Sequence, residues 1–261
     1  MTRNLNTMRS LLPSLGDGPN PLQRLGTPPR AALPPAFSLL VWNVFKGRHR
    51  HWLRDLRHLS HSADLALLQE AVLHESSGDY FHASATHEWI MAQSFLTGRD
   101  AVVTGLKTGA VVAAESPLVL VAPHREPIVR TPKLILATRY PVAGRQERLL
   151  ALNVHALNFT STARFISQMD QMLETLAGHN GPTILAGDFN TWSRPRRTAL
   201  ARLADGLDLV PIEFGSRGRV RHFNQVLDHV FVRGVNVIAA RVVREIGSSD
   251  HFPLEARLEL I

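Results

Sequence analysis

One event recurs along this chain and constrains its fold more than any other feature. A short hydrophobic run ends in residues able to hold a metal ion or a phosphate. It happens at FSLLVWN (Asn43), LALLQE (Glu70), LALNVH (Asn153, His155), ILAGDFN (Asp188, Asn190), QVLDHVF (Asp228) and GSSDH (Asp250, His251). Apolar runs of this length, bounded by turn residues, read as β-strands. In a strand, residues i and i+2 share a face, so Asn153 with His155, and Asp188 with Asn190, are expected to pair on one surface. A lone Asp or Asn at a strand end usually begins a turn. A whole set with compatible ligand chemistry is different, because gathering it costs desolvation that only a function would offset.

Between these runs the pattern changes period. RHRHWLRDLRHLSHS is expected to be helical, with Trp52, Leu53, Leu56 and Leu59 on one face. STARFISQMDQMLETLAGHNG predicts a longer helix whose apolar face carries Phe165, Ile166, Met169, Met172, Leu173 and Leu176, stopped by Gly178 or Gly181. RRTALARLADGL predicts a third. PKLILATRYPV and ERLLALNVHAL flank Ala143-Gly144 and suggest a hairpin. Many strands joined by short turns, with few helices, suit two mainly antiparallel sheets covered by helices on their outer faces, an α/β (α+β) layered sandwich, better than a doubly wound parallel sheet. Residues 1–36 are Pro-rich and aperiodic and read as an extended or disordered N-terminal arm, leaving 37–261 as the catalytic domain.

Composition narrows the chemistry. The 261 residues contain no cysteine, so disulfides, thiolate metal sites and a cysteine nucleophile are excluded. A formal net charge of +7 favours anionic partners: nucleic acid, an anionic phospholipid surface or a phosphorylated small molecule. No apolar run reaches the roughly 18 residues of a membrane span, and the N-terminus lacks the apolar core of a signal peptide, so a cytoplasmic location is expected. A monomer is expected as well.

Glu70, Asp188, Asn190 and Asp250 offer hard oxygen ligands suited to Mg²⁺ or Mn²⁺. There is no HExxH and no zinc-finger pattern. His251 follows Asp250 and needs an orienting carboxylate to act as a base, which Asp228 could supply; His155 could donate to a phosphate oxygen. Together these parts describe metal-assisted hydrolysis of a phosphate ester. Arg194, Arg196 and Arg197 are expected on the loop after GDFN as substrate-binding groups, with a second cluster at Arg217, Arg219 and Arg221. Trp192 and Phe223 could stack on bases or simply pack.

The ordered set WN, QE, NVH, GDFN, LDHVF and SDHFPL, residues 43 to 254, resembles the endonuclease/exonuclease/phosphatase superfamily, which includes deoxyribonuclease-I-like nucleases, abasic-site endonucleases, neutral sphingomyelinases and inositol polyphosphate phosphatases. The arm, HAxNF and WSR after GDFN are similar to its YafD-type bacterial group. The resemblance implies a four-layered α/β/β/α sandwich with the site at one edge of the paired sheets. It implies Glu70 as the principal metal ligand with Asn43 beside it, and Asp250 touching the metal. Asp188 would orient or deprotonate the attacking water, Asn190 would hold the phosphate, and His155 would contact it. His251 and Asp228 would form an imidazole–carboxylate dyad, and Asn158 would be a further phosphate contact. The Gly-Trp-Arg lead-in of abasic-site endonucleases is missing before LDHVF, and no long insertion marks a lipid-binding element. The expectation is a Mg²⁺-dependent nuclease acting on DNA; the alternative is a phosphatase or phosphodiesterase for a small molecule or phospholipid headgroup.

Overall fold

A computed structural model of the chain describes residues 22–73, 75–97, 102–127, 131–215, 221–222 and 225–261. Its strands, in chain order, are β1 (Leu22–Leu25), β2 (Ala36–Asn43), β3 (Leu65–Leu73), β4 (Glu88–Thr97), β5 (Val102–Ala110), β6 (Glu115–Arg125), β7 (Pro132–Pro141), β8 (Arg148–His155), β9 (Thr183–Asp188), β10 (Val210–Pro211), β11 (Arg221–His222), β12 (Gln225–Val226), β13 (Asp228–Arg233), β14 (Val235–Val242) and β15 (Leu254–Leu260). The helices are α1 (Trp52–His61), α2 (Glu75–His82), α3 (Thr162–Ala177) and α4 (Arg194–Asp205).

Two large sheets form. One has the order β1-β4-β5-β3-β2-β15-β14, the other β10-β13-β9-β8-β7-β6. All neighbours in them are antiparallel except β2–β3 and β8–β9, each parallel pair being joined through a helix, α1 or α3. Three apolar clusters give the layering. One, with Leu39, Val41, Leu65, Leu67, Ala151, Ile184 and Ala186, lies between the sheets. A second seats Trp52, Leu56, Leu59 and Phe81 of α1 and α2 on the first sheet. A third seats Phe165, Met169, Met172, Leu200 and Ala204 of α3 and α4 on the other. The result is a four-layered α/β/β/α sandwich.

The alternation along each strand decides what faces what. In β8 and β9, Ala151, Ile184 and Ala186 face the opposite sheet while Leu150, Leu152 and Leu185 face the helices. Asn153, His155 and Asp188 continue the inward rows. Asn153 ties the sheets together beneath the site: its Oδ1 accepts from Gln69 Nε2 at 2.7 Å, and its Nδ2 donates to the Leu68 and Lys107 carbonyls, each at 3.1 Å. A fully paired buried amide of this kind fixes the register of two sheets.

Several expectations shift. Of the arm, Leu22–Leu25 pairs antiparallel with β4 at the edge of the first sheet, and isolated bridges join Arg30 to Val112 and Leu33 to Val142. Helix α4 starts at Arg194, two residues before the expected start, with Pro195 in its first turn where a missing N–H costs nothing. Arg194, Arg196 and Arg197 therefore stand on a helix rather than a loop. Arg217, Arg219, the side chain of Arg221, and Phe223 lie outside the described residues. In α3 the expected face is narrower: Phe165, Met169, Met172 and Leu176 are buried, while Ile166 and Leu173 stay largely exposed.

Candidate active site

The C-terminal ends of the two parallel pairs meet at one edge of the sandwich. Asn43 ends β2, Glu70 lies near the end of β3, His155 ends β8 and Asp188 ends β9. His155 and Asp188 are direct partners in the β8–β9 ladder, and Asp188 is also the register partner of Asp228 in β13. His251 comes from the β14–β15 loop. Its backbone is clamped twice: Trp42 Nε1 donates to its carbonyl at 2.9 Å, and its N–H donates to Ser249 Oγ at 3.2 Å, while that hydroxyl donates to the Asn43 carbonyl at 2.6 Å.

The imidazole–carboxylate dyad is present. His251 Nδ1 lies 2.8 Å from Asp228 Oδ2 and 3.0 Å from Oδ1, which leaves Nε2 facing Asp188 Oδ2 at 4.0 Å. Burial works against charge on this ring, but Asp228, by charge and hydrogen bond, and Asp188 beyond it outweigh burial and raise its pKa. Asp188 is oriented from both sides: Asn43 Nδ2 donates to Oδ2 at 3.1 Å and the Asn190 N–H donates to Oδ1 at 3.0 Å. Burial raises the Asp188 pKa, and Asp228 adds to the rise.

Glu70 is brought in by a distortion. The β3–β5 pairing shifts register between Leu68 and Ala71, and Glu70 sits at φ 50°. Plain alternation would turn it toward the helix layer with Ala66 and Leu68. The bulge instead carries its carboxylate to within 3.9 Å of His155 Nε2, on the other sheet. Asn190, at φ 51°, is the second such residue in the site. Backbone strain of this sort persists only where surrounding structure enforces it.

Three groups in the site carry charge that the sequence reading did not place. Lys46 Nζ stands 2.8 Å from Glu70 Oε2. Lys133 Nζ lies 2.8 Å from His155 Nε2 and 3.3 Å from Glu126 Oε1. An ammonium only donates, so His155 Nε2 is the acceptor of that contact. Burial, then Lys133 and Lys46, push the His155 pKa well below its ordinary value, which keeps the ring neutral. A signal for these residues existed. Only three of the 29 basic side chains in the chain are lysines, and all three, Lys46, Lys107 and Lys133, are buried or half-buried.

The remaining expected residues divide. Asp250 is on the exposed side of the His251 loop, where desolvation and then the Glu70 charge raise its pKa. Asn190 Nδ2 donates to the Ala156 carbonyl at 3.0 Å, so its amide is already held by the scaffold. Asn158 is beside the cluster, its N–H donating to Glu126 Oε1 at 3.0 Å. Arg194 is exposed. Arg196 is turned inward: it is fully buried, donates to the carbonyls of Leu157, Asn190 and Thr160, and stacks between Trp192 and Phe165. It braces the loops around the site. Arg197 is half-buried.

Among the described residues, one group of three ligands and the Glu70 carboxylate could hold a metal ion. Asp188, Asp228 and His251 each bring one ligand atom within 4.8 Å of the others. There, however, His251 Nδ1 is already engaged by Asp228. Glu70 is the better fit, because its Oε2 is buried without a hydrogen bond and has a cation, the Lys46 ammonium, standing against it.

A family model described as "Endonuclease/Exonuclease/phosphatase family" matches residues 40–251, from β2 to His251. The chain belongs to the endonuclease/exonuclease/phosphatase family. Members of this family are phosphoesterase hydrolases, among them nucleases, phosphatases and phosphodiesterases. A relative in Yersinia enterocolitica, a UPF0294 protein, is 38% identical over 235 residues, covering 88% of this chain and 86% of its own length. An endonuclease/exonuclease/phosphatase from Beutenbergia cavernae superposes with a TM-score of 0.62 at 15% identity, over 86% of this chain and 72% of that one. A mannosyl-6-phosphatase from Bacteroides thetaiotaomicron superposes with a TM-score of 0.59 at 15% identity, over 85% and 99%. At such identities the two structures speak for the fold. No helix among the described residues is long and apolar enough to cross a membrane.

Proposed function

We propose that this protein is a divalent-metal-dependent phosphodiesterase acting on nucleic acid, most simply a DNA nuclease. The observation that carries the reading is the convergence of Asn43, Glu70, His155, Asp188 and the His251–Asp228 dyad, from both sheets, on one edge of the sandwich. The net charge of +7 supports a polyanionic substrate.

Glu70, with Asp250 across the His251 loop, would hold the metal, Mg²⁺ or Mn²⁺. When bound, the ion supplies Lewis-acid polarisation of the phosphoryl oxygen and a counter-charge. The chain's own groups do the rest. Asp188, held by Asn43 and the Asn190 N–H, accepts the proton of the attacking water. That water forms the new P–O bond as the bond to the leaving oxygen breaks. His251, held through Nδ1 by Asp228, directs its Nε2–H at the charge that builds on the phosphoryl oxygens. Lys133 adds a second fixed cation, and His155, bonded to it, holds its ammonium in place. The expected phosphate contact from His155 Nε2 thus passes to Lys133 for as long as the two are bonded.

The test is nicking of supercoiled plasmid by the full chain with Mg²⁺ or Mn²⁺, beside an EDTA control and His251→Ala. Cleavage that disappears in both controls is the expected result. Cleavage no faster than the variant's, together with hydrolysis of a phosphomonoester or a phospholipid headgroup, would move the substrate to those classes.

A further inference from the structure

Beside the site stands an aromatic shelf. Phe159 is 58% exposed, and its ring stacks on Trp192 with centroids 6.3 Å apart and planes at 28°. A large side chain this open is unusual only if it is also costly to hold, and Phe159 is: its backbone sits at φ 48°, where a bulky residue with a Cβ is an outlier. Asn158 enforces that conformation. Its Oδ1 accepts the Phe159 N–H at 2.9 Å and Trp192 Nε1 at 3.1 Å, so one amide oxygen fixes both rings. From beneath, the Arg196 guanidinium lies 4.8 Å from the Trp192 ring and is itself bound to three carbonyls. The two rings are thus tied by one amide oxygen, and Trp192 is also in contact with the Arg196 guanidinium.

The shelf is also wired to the reacting centre. Glu126 Oε1 accepts the Asn158 N–H at 3.0 Å and lies 3.3 Å from Lys133 Nζ, which touches His155 at 2.8 Å. A phosphate held at Lys133 is therefore linked, through Glu126, to the backbone of Asn158, whose side chain positions both rings. Stacking on aromatic faces accepts any base, because every base has a π-face, and it suits a strand opened out of a duplex. An acyl chain gains nothing from planarity, whereas a sugar ring can also lie on an aromatic face, so a strand of abasic sugars is needed to separate base from sugar.

We propose that Phe159 and Trp192 form a subsite for a nucleobase attached through its sugar to the phosphate in the catalytic site. This rests on the phosphodiesterase reading and names the substrate's neighbouring group. It makes the enzyme one that grips an unstacked base next to the bond it cuts.

The test compares a short fluorescein-labelled single-stranded oligonucleotide with a counterpart of equal length built from abasic sugars. Binding is read by anisotropy with Mg²⁺ on the full chain carrying His251→Ala, so that the probe is not consumed. The base-containing strand is expected to bind about tenfold or more tightly. Adding Phe159→Ala is expected to erase that preference while leaving the abasic affinity as it was, and Phe159→Trp to restore it. Equal affinity for the two strands overturns the proposal, as do no detectable binding of either and an equal loss on both with Phe159→Ala. Hydrolysis of bis(p-nitrophenyl) phosphate by the unaltered chain is measured in parallel. If that diester is cleaved and no base preference exists, the shelf fails alone; if it is not cleaved, the phosphodiesterase reading fails, and the binding comparison still decides the shelf.

Discussion

The two crossover units, β2–α1–β3 and β8–α3–β9, do the same job by different means. Each lays two parallel strands side by side and brings functional groups to their C-terminal ends. The second does it with regular geometry. Six consecutive register pairs run from Leu150–Thr183 to His155–Asp188, and the alternation that packs Ala151 and Ile184 inward also aims His155 and Asp188 inward. The first unit is regular only to Asn43–Gln69. Beyond it, Phe45, Lys46 and Glu70 all take positive φ, and a bulge is needed to turn Glu70 toward the other sheet. A site can thus be half framework and half distortion. The distorted half carries the residues that meet the most charge: Glu70 with its carboxylate, and Lys46 against it.

The largest effect should come from the regular half. Asp188→Asn keeps the size of the side chain but removes the proton acceptor and turns one of its two accepting oxygens into a donor. Turnover is expected to fall by about 10³-fold or more, with the far-ultraviolet circular dichroism unchanged. A variant within tenfold of the parent rate would take Asp188 out of proton transfer and give the role to the dyad.

Breaking the framework itself is the next test. Gly187 sits at φ 141°, and a Cβ there would stand 2.1 Å from the Val154 carbonyl oxygen of the neighbouring strand. Backbone cannot yield as a side-chain tip can. Gly187→Ala should lower unfolding free energy by about 3 kcal/mol or more, measured by denaturant unfolding, and should separate His155 from Asp188. Near-parental stability would show that the β8–β9 ladder is not rigid, and the contrast between the units would lose its basis.

The distorted half makes the opposite prediction. At φ 50°, Glu70 carries strain of about 1–3 kcal/mol, against a glycine entropy cost of about 0.5–1 kcal/mol. Glu70→Gly should therefore be no less stable than the parent, and more stable by up to about 2.5 kcal/mol, while losing metal-dependent activity. Loss of both stability and activity would mean that the Lys46 contact, rather than strain, dominates at this position.

The same contrast explains what could be read from the sequence. The regular half is legible for Asn153, His155 and Asp188, because alternation along β8 and β9 aims them inward; Asn190 lies past the end of β9 at φ 51°, outside that rule. The α3 boundaries were legible too, set by Ser161 at one end and Gly178 at the other. Glu70 is legible as an oxygen ligand in LALLQE, but its place in the site is not, since alternation alone turns it to the helix layer. Lys46 and Lys133 are not legible from pattern, because a lone charged residue ordinarily marks surface, whereas in this chain the three lysines are buried or half-buried. Arg196 shows the converse: expected as a substrate grip, it is a buried brace, because the Leu157, Asn190 and Thr160 carbonyls of the loops around the site take up its donors. Which face a first-turn residue shows depends on where the helix starts, and boundaries are the weakest part of pattern reading.

The smallest expected effect tests the first unit without touching the site. His87, just before β4, is buried; its Nε2 meets the Ala63 carbonyl at 2.8 Å, in the connection between α1 and β3, and Nδ1 meets Thr86 Oγ1 at 3.0 Å. Burial lowers its pKa from the ordinary 6.5; the Ala63 carbonyl and Asp64 pull it up, and His61 adds to the lowering. The unfolded chain therefore takes up a proton at higher pH than the folded one. The stability from neutral His87 is complete above about pH 6.5 and drains away as pH falls below that value, by at most about 1.4 kcal/mol per pH unit. His87→Gln, which can still donate to the Ala63 carbonyl, should flatten the acid limb of the stability curve between pH 6.5 and the folded pKa, with little change at pH 8. If the limb is as steep in the variant, the anchoring of the α1–β3 connection does not depend on this proton.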